Sequence, residues 1–275
     1  MRIDKLCWVV GVASMLLVGQ STKSHAGTGK PKGADSKLDL GVTIAALSSG
    51  DTDAAVKAMT QLGTLDSAAA HDAILDGLAF GPHPLVVLAA LSALTAHPAP
   101  ADAAVIARYA TYRSVLVRSA ALGALATYPD PKAKLALVKG LSDSQSKVRA
   151  AAAAAIAKVR LRDAVPALLT LLEKGELPAA VALGQLADVE MARAISEKLG
   201  QVPDEALATC LGTMLKRDDF GPDTARVQVV AAIGKIASND AIVVLSDYIE
   251  STPKNPPRQS RKEAESIVEK RMGGN

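Results

Sequence analysis

Val86, Val117 and Val148 each open a stretch in which apolar residues fall at helical spacing, and neighbouring members of the three stand 31 residues apart. The same arrangement follows each one, as Leu91-Ser-Ala-Leu94, Leu122-Gly-Ala-Leu125 and Ala153-Ala-Ala-Ile156. A helical block that returns at this period marks stacked repeats, in which no unit buries its apolar face alone and each leans on the next. The pattern resolves into two alternating sets of helices. The first set is predicted over 39–48, 67–79, 100–111, 131–141, 163–173 and 189–199. The second is predicted over 52–64, 84–96, 115–127, 146–159, 177–187 and 204–216. Gly50-Asp-Thr-Asp53, Gly81-Pro-His-Pro84, His97-Pro-Ala-Pro100, Pro129-Asp-Pro131 and Gly175-Glu-Leu-Pro178 separate them, because glycine and proline interrupt regular helix. Pro131 and Pro178 suit a first helical turn, where a missing N–H leaves no bond unmade.

Small residues say how tightly the helices pack. Ala150 through Ala155 leave nothing to project, so that helix is expected in a middle layer with neighbours on several sides. Gly63, Gly123, Gly184, Gly212 and Gly234 sit inside apolar helical runs, where glycine costs about 1 kcal/mol relative to alanine. Their equivalent placement predicts close approach by a neighbouring helix. From Leu211-Gly212 to Ile233-Gly234 the spacing drops to 22 residues across Lys216-Arg-Asp-Asp-Phe-Gly-Pro-Asp223. The next helix, about 224–237, carries second-set sequence where a first-set helix is due. That predicts a slip in phase, with Asp223 or Thr224 as the new cap. A helix at 240–250 follows. Ser260-Arg-Lys-Glu263 then reads as a capping box, with an Arg261–Glu265 pair, opening a final helix at 261–271 that covers the last repeat.

Two units carry a family resemblance. Leu141-Ser-Asp143, Val148-Arg149, Ala152-Ala153 and Ile156, continued by Ala164-Val-Pro-Ala-Leu168 and Leu171-Leu172, resemble the HEAT-repeat family, in particular the short bacterial HEAT-like repeats of phycobilisome lyases. Val117-Arg118, Ala120-Ala121-Leu-Gly123 and Leu125 repeat the motif. The resemblance extends over about 38–250 and implies an all-α, right-handed α-solenoid of about six units with a C-terminal capping helix. It is specific for architecture and weak for activity.

The ends and the bulk place the chain. Arg2 and Lys5 precede an apolar stretch from Leu6 to Gly19, and Ser24-His-Ala26 offers small residues before Gly27. This is the pattern of a cleaved secretory signal, and the stretch is shorter than the roughly 20 apolar residues of a membrane span. The expected organisation is a signal at 1–26, a flexible lead at 27–37, the solenoid at 38–250, a Pro-rich linker at 251–260 and a helix with tail at 261–275. The signal holds most of the formal charge of +3, so the exported chain is near neutral and ill suited to nucleic acid. Hydrophobic residues make up 49% and aromatic ones 3%, so Ala, Leu and Val must fill the core. Cys210 lies in an apolar helical run and reads as a small buried hydrophobe.

Chemistry is sparse. His71, His83 and His97 do not stand at metal-ligand spacing with each other or with Cys210, and no nucleophile elbow is present. Asp218-Asp219 and Asp51/Asp53 lie beside turns, where aspartate serves as a cap. No cofactor, metal or catalytic group is expected. Arg118 and Arg149 open second-set helices at equivalent positions, with Lys57 one residue displaced. The two arginines read either as an internal ladder, with Arg149 meeting Asp143 or the next unit, or as a basic row that greets an acidic partner. Phe220, between Asp218-Asp219 and Pro222, reads either as a plug for the irregular junction or as an exposed anchor. The reading favoured is a monomeric, exported protein-binding or scaffolding module, periplasmic or secreted, with Arg118, Arg149, Lys57, Asp218, Asp219 and Phe220 as candidate partner-binding residues. A lyase-like enzyme or accessory subunit is the alternative, and it requires a concave pocket in which several polar side chains converge.

Overall fold

The structure, a computed structural model, describes residues 39–79 and 81–273. The expected signal, its cleavage site and the flexible lead lie outside the described residues. The helices are α1 (Leu40–Leu47), α2 (Thr52–Leu62), α3 (Ala68–Ala79), α4 (Pro84–Ala96), α5 (Asp102–Tyr109), α6 (Val115–Leu125), α7 (Pro131–Gly140) and α8 (Ser146–Lys158). They continue as α9 (Val165–Glu173), α10 (Leu177–Leu186), α11 (Val189–Ser196), α12 (Asp204–Leu215), α13 (Asp223–Gly234), α14 (Asn239–Ser251) and α15 (Gln259–Met272). Among the described residues the only β pairing is an isolated bridge between Leu199 and Val202. No helix there is long and apolar enough to cross a membrane.

The even-numbered helices form one continuous stack, α2 on α4 and so on to α12 on α14. Each odd-numbered helix packs against the even one that follows it, giving seven helix pairs from α1/α2 to α13/α14 rather than about six, with α15 over the last. The architecture is an α-solenoid. The alanine run of α8 lies between α6, α7 and α10, with Ala152, Ala153 and Ala155 buried and Ala154 exposed. Close approach explains four of the five glycines, of which Gly63 stands just past the end of α2. A Cβ on Gly63 would meet that of Ala93 at 2.6 Å, and one on Gly212 would meet Val244 Cγ1 at 2.4 Å. One on Gly184 would meet the carbonyl oxygen of Cys210 at 2.6 Å, and one on Gly234 would meet Ile267 Cδ1 at 2.8 Å. Gly123 is the exception: it faces open space.

The expected slip in phase does not occur. α13 packs against α11 and α15, the odd-numbered neighbours, and α14 follows α12 in the even stack. Residues 216–222 connect α12 to α13 and include a 3-10 turn at Asp218–Phe220; the 22-residue spacing arises because Gly234 lies on the odd-numbered α13. α13 resembles second-set sequence for a different reason. α15 lies on it as closely as an even helix lies on its neighbour, so Gly234 answers to Ile267. The glycine marks a close approach and not a place in the alternation.

The C-terminal caps also differ from expectation. Asp223 is the first residue of α13, and Pro222 precedes it without a side-chain cap. The Asp223 carboxylate reaches across to α15 instead, where it accepts from the Gln259 N–H at 2.7 Å, the Ser260 N–H at 3.2 Å and the Ser260 hydroxyl. Ser260 therefore lies inside α15, bonded also to the Tyr248 hydroxyl at 2.7 Å, and no Ser260–Glu263 capping box forms. A charged acceptor at a helix start satisfies orphan N–H groups and matches the helix dipole, which one serine hydroxyl does less well. The Arg261–Glu265 pair is present at 2.9 Å.

Arginines close the other ends of these helices. Arg217 donates to the Gly184 and Ala187 carbonyls after α10. Arg226 donates to Leu215, Arg217 and Asp218 after α12. Arg261 donates to Ile249 and Thr252 after α14, and Arg271 to Gly234, Ile236 and Ser238 after α13. Each guanidinium meets carbonyls that have no partner within their own helix and sits at the negative end of the dipole.

Candidate interaction groove

Lys139 lies seven positions after Lys132 on α7, two turns that return both to one face, with Leu135 and Ala136 between them. Asp130 starts this helix by accepting from the Lys132 N–H at 2.7 Å, with Pro131 in the first turn. α5 and the α5–α6 turn supply the opposite wall, with Arg108, Tyr112 and Arg113. The groove between them measures ≈ 680 Å³. Leu135 is 57% exposed there, and the Arg113 guanidinium stands 5.8 Å from the centre of the Tyr112 ring.

The charge of the groove is one-sided. Arg108, Arg113, Lys132 and Lys139 are exposed and make no ion pair among the described residues. The nearby carboxylates are both committed, Asp130 to the helix cap and Asp143 to Arg118. Residues 107–144 hold Arg108, Arg113, Arg118, Lys132, Lys134 and Lys139 against Asp130 and Asp143, an excess larger than the +3 of the whole chain.

The two arginines singled out by the sequence are rungs of a ladder, and this overturns the basic row. Arg118 grips Asp143 of the next pair with Nε at 2.8 Å and Nη2 at 3.0 Å, and Nη1 donates to the Tyr112 carbonyl at 2.9 Å. Arg149 repeats the geometry one pair later: it binds Glu176 at 2.7 Å and the Asp143 carbonyl at 2.8 Å. Each thus joins its own inter-helix turn to the next. Guanidinium geometry suits such bidentate bonding. Arg118 lines the groove but arrives already paired, and Arg149 does not line it.

The other candidates are scattered. Lys57 is exposed on α2 and makes no ion pair among the described residues. Asp218 is exposed, and Asp219 binds Arg217 at 2.9 Å and Arg160 at 3.1 Å. Phe220 is only 3% exposed and lies under the Arg226 guanidinium, 5.8 Å away. It plugs the junction and is not an exposed anchor, because its ring is buried. Cys210 is buried, and burial pushes its thiol up to about 12, in line with the buried-hydrophobe reading.

The fold also gives His71 a partner that the sequence reading missed. Its Nε2 lies 2.8 Å from Asp102 Oδ1, and Asp102 is fully buried. The second carboxylate oxygen accepts from the Ala99 N–H at 2.9 Å and the Tyr128 hydroxyl at 3.3 Å. The cluster ties α3, α5 and the α6–α7 turn together. His71 and Asp102 stand one repeat apart, so the period itself was the available signal.

Several aspartates are held below the usual carboxylate range. For Asp143 the bond from Arg118 is the main cause, opposed by burial; for Asp188 it is the Met191 N–H, then Arg162. Arg217 and then Arg160 bring Asp219 to about 2. Burial alone raises Asp223, but its bonds from Ser260 and Gln259 outweigh that. A carboxyl depressed in the folded state contributes stability above its unfolded value near 4, and this is lost as pH falls through the folded value. Thermal midpoints followed by circular dichroism are therefore expected to hold from pH 7 to 5 and to fall between pH 4 and 2. The Asp143→Asn variant should show a flatter fall. A midpoint unchanged at pH 3 would contradict the ladder's electrostatic role.

The groove and the ladder lie inside residues 104–184, which match the family model described as HEAT repeats. That segment is built of HEAT repeats. No curated protein matches the sequence. Among solved structures, the complex of CpcE and CpcF of phycocyanin lyase from Nostoc sp. PCC7120 is similar at 19% identity, over 91% of this chain and 99% of that one, with a TM-score of 0.47. Two engineered proteins are also similar. One is 21% identical over 86% of this chain and 98% of its own, with a TM-score of 0.37, and the other 18% identical over 84% and 98%, with a TM-score of 0.36. The matched segment runs from α5 into α10, the part in which the 31-residue period is most regular.

Proposed function

We propose that this chain is a docking module of the cell envelope and that the groove between α5 and α7 is its docking site. The observation that carries the reading is the set of four unpaired cations around an exposed leucine in one groove. The Arg118–Asp143 and Arg149–Glu176 rungs support it by fixing the turn geometry beneath. Export rests on the sequence of residues 1–26, and N-terminal sequencing of the mature protein is expected to begin at Gly27. The docking role is tested by placing a photo-crosslinking residue at Leu135 and, separately, at Leu116, which is exposed on α6. Crosslinks in the envelope fraction should form from position 135, not from 116, and should disappear with Arg108→Glu/Arg113→Glu. Equal crosslinking from both positions would remove the groove as the site.

A lyase-like activity has one observation in its favour, since Arg108, Tyr112, Arg113, Arg118 and Asp143 converge on the groove. It is the weaker reading. Asp143 is held ionised by Arg118, and its Oδ1 also accepts from the Gln145 N–H at 2.9 Å, so the carboxylate is fully engaged and a poor proton acceptor.

A further inference from the structure

We propose that the groove between α5 and α7 binds an acidic peptide segment in extended conformation, with an aliphatic or aromatic side chain on Leu135 and Tyr112 and carboxylates on either side of it. This rests on the reading of the groove as a docking site and names what docks there.

Spacing and sign select this occupant. Lys132, Leu135 and Lys139 form a cation–apolar–cation stripe along one face of α7. At about 1.5 Å per helical residue its two ends lie roughly 10 Å apart. A single anion held by both lysines would sit over the exposed Leu135 between them, which offers it no polar partner. An extended chain advances about 3.3 Å per residue, so side chains on one side of it recur about every 7 Å. An acidic residue, an apolar residue and a second acidic residue at alternate positions therefore follow the stripe, within the reach of two lysines. Arg108 and Arg113 face the same chain from the other wall, where they answer its remaining carboxylates or its backbone carbonyls. The groove's own carboxylates do not compete, since Arg118 and the α7 cap already occupy them. With nothing bound, four like charges face one groove, and an acidic occupant relieves that repulsion.

Titration by fluorescence anisotropy tests the proposal on the purified mature chain. The probe is a short fluorescein-labelled peptide with Glu at alternating positions around one Phe. Companion probes carry Gln for Glu, or Ala for Phe, and a labelled oligothymidylate serves as a polyanion without the peptide pattern. The Glu–Phe peptide is expected to bind, and the Gln peptide to bind at least about tenfold more weakly. Lys132→Glu/Lys139→Glu should weaken the Glu–Phe peptide by a similar factor, and Leu135→Ser should reduce the preference for Phe over Ala. Lys57→Glu/Lys158→Glu, which reverses cations elsewhere, should leave binding unchanged. All these positions but Lys158 and Lys57 line the groove, and all are exposed, so folding monitored by circular dichroism should persist. Equal binding of the Gln peptide, equal binding of oligothymidylate, or indifference to Lys132→Glu/Lys139→Glu would each overturn the proposal. If none of the peptides binds while crosslinking at Leu135 still depends on Arg108 and Arg113, the docking site stands and the acidic occupant falls. If crosslinking fails as well, both fall.

Discussion

Replacing Gly184 with alanine is expected to destabilise the protein by about 2–3 kcal/mol, although alanine is the better helix former by about 1 kcal/mol. The new Cβ would stand 2.5 Å from Thr213 Cβ and 2.6 Å from the carbonyl oxygen of Cys210. The second contact is with backbone inside α12, so no rotamer change relieves it, and α10 must move away from α12. Gly123→Ala is the control. Gly123 occupies the equivalent place on α6, yet a Cβ there meets nothing within 4 Å. The same substitution should therefore stabilise by about 0.5–1 kcal/mol through helix propensity and a less flexible unfolded chain. Urea midpoints at unchanged slope measure both. Opposite signs are expected, and a stabilised Gly184→Ala would mean that α10 and α12 are not as close as described.

Arg226→Ala should cost about 3 kcal/mol. The side chain is 3% exposed and donates to Leu215 O at 2.7 Å and Asp218 O at 3.2 Å, as well as to the Arg217 carbonyl. It also covers the Phe220 ring. Its loss strands carbonyls at the end of α12 and opens the space beside Phe220. Lysine should rescue little, because a point charge does not reproduce a planar fork of donors. Hydrogen exchange is expected to quicken first across residues 211–222. An Arg226→Met variant as stable as the wild type would show that packing alone holds this junction, and that the carbonyls do not depend on the guanidinium.

The junction shows where reading along the chain stops being sufficient. The 22-residue spacing and the second-set look of residues 224–237 are real features of the sequence, yet the alternation of helices continues through them. A glycine in a helix reports that something comes close, without saying what. At Gly184 it is the next even helix, at Gly234 it is α15, and at Gly123 it is nothing. Asp223 and Ser260 carry the same lesson. Each has the residue type of a local cap, and each spends its polar atoms on the other across the α13–α15 contact.

The groove was hidden for a related reason. Arg118 and Arg149 stood out because they recur with the period, and recurrence selected the residues that hold successive pairs together. Of Arg108, Arg113, Lys132 and Lys139, only Arg108 and Lys139 stand one period apart, and Arg113 and Lys132 have no counterpart at that spacing. They become a site only because α5 and α7 are neighbours in space and because the adjacent carboxylates are already taken. The charge excess of residues 107–144 was available in the sequence. What it lacked was a geometry that separates the paired cations from the unpaired ones.

Helix positions, breakers and the repeat were written in the order of residues, since period, proline and small side chains act within a turn or two. The sequence by itself therefore determined an all-α stack and the residues that fill it. Which arginine is spoken for, which aspartate caps which helix and which glycine is crowded depend on atoms tens of residues away. Only the stacking of one pair on the next decided those, because a polar atom's partner is set by what the fold brings within 3 Å of it.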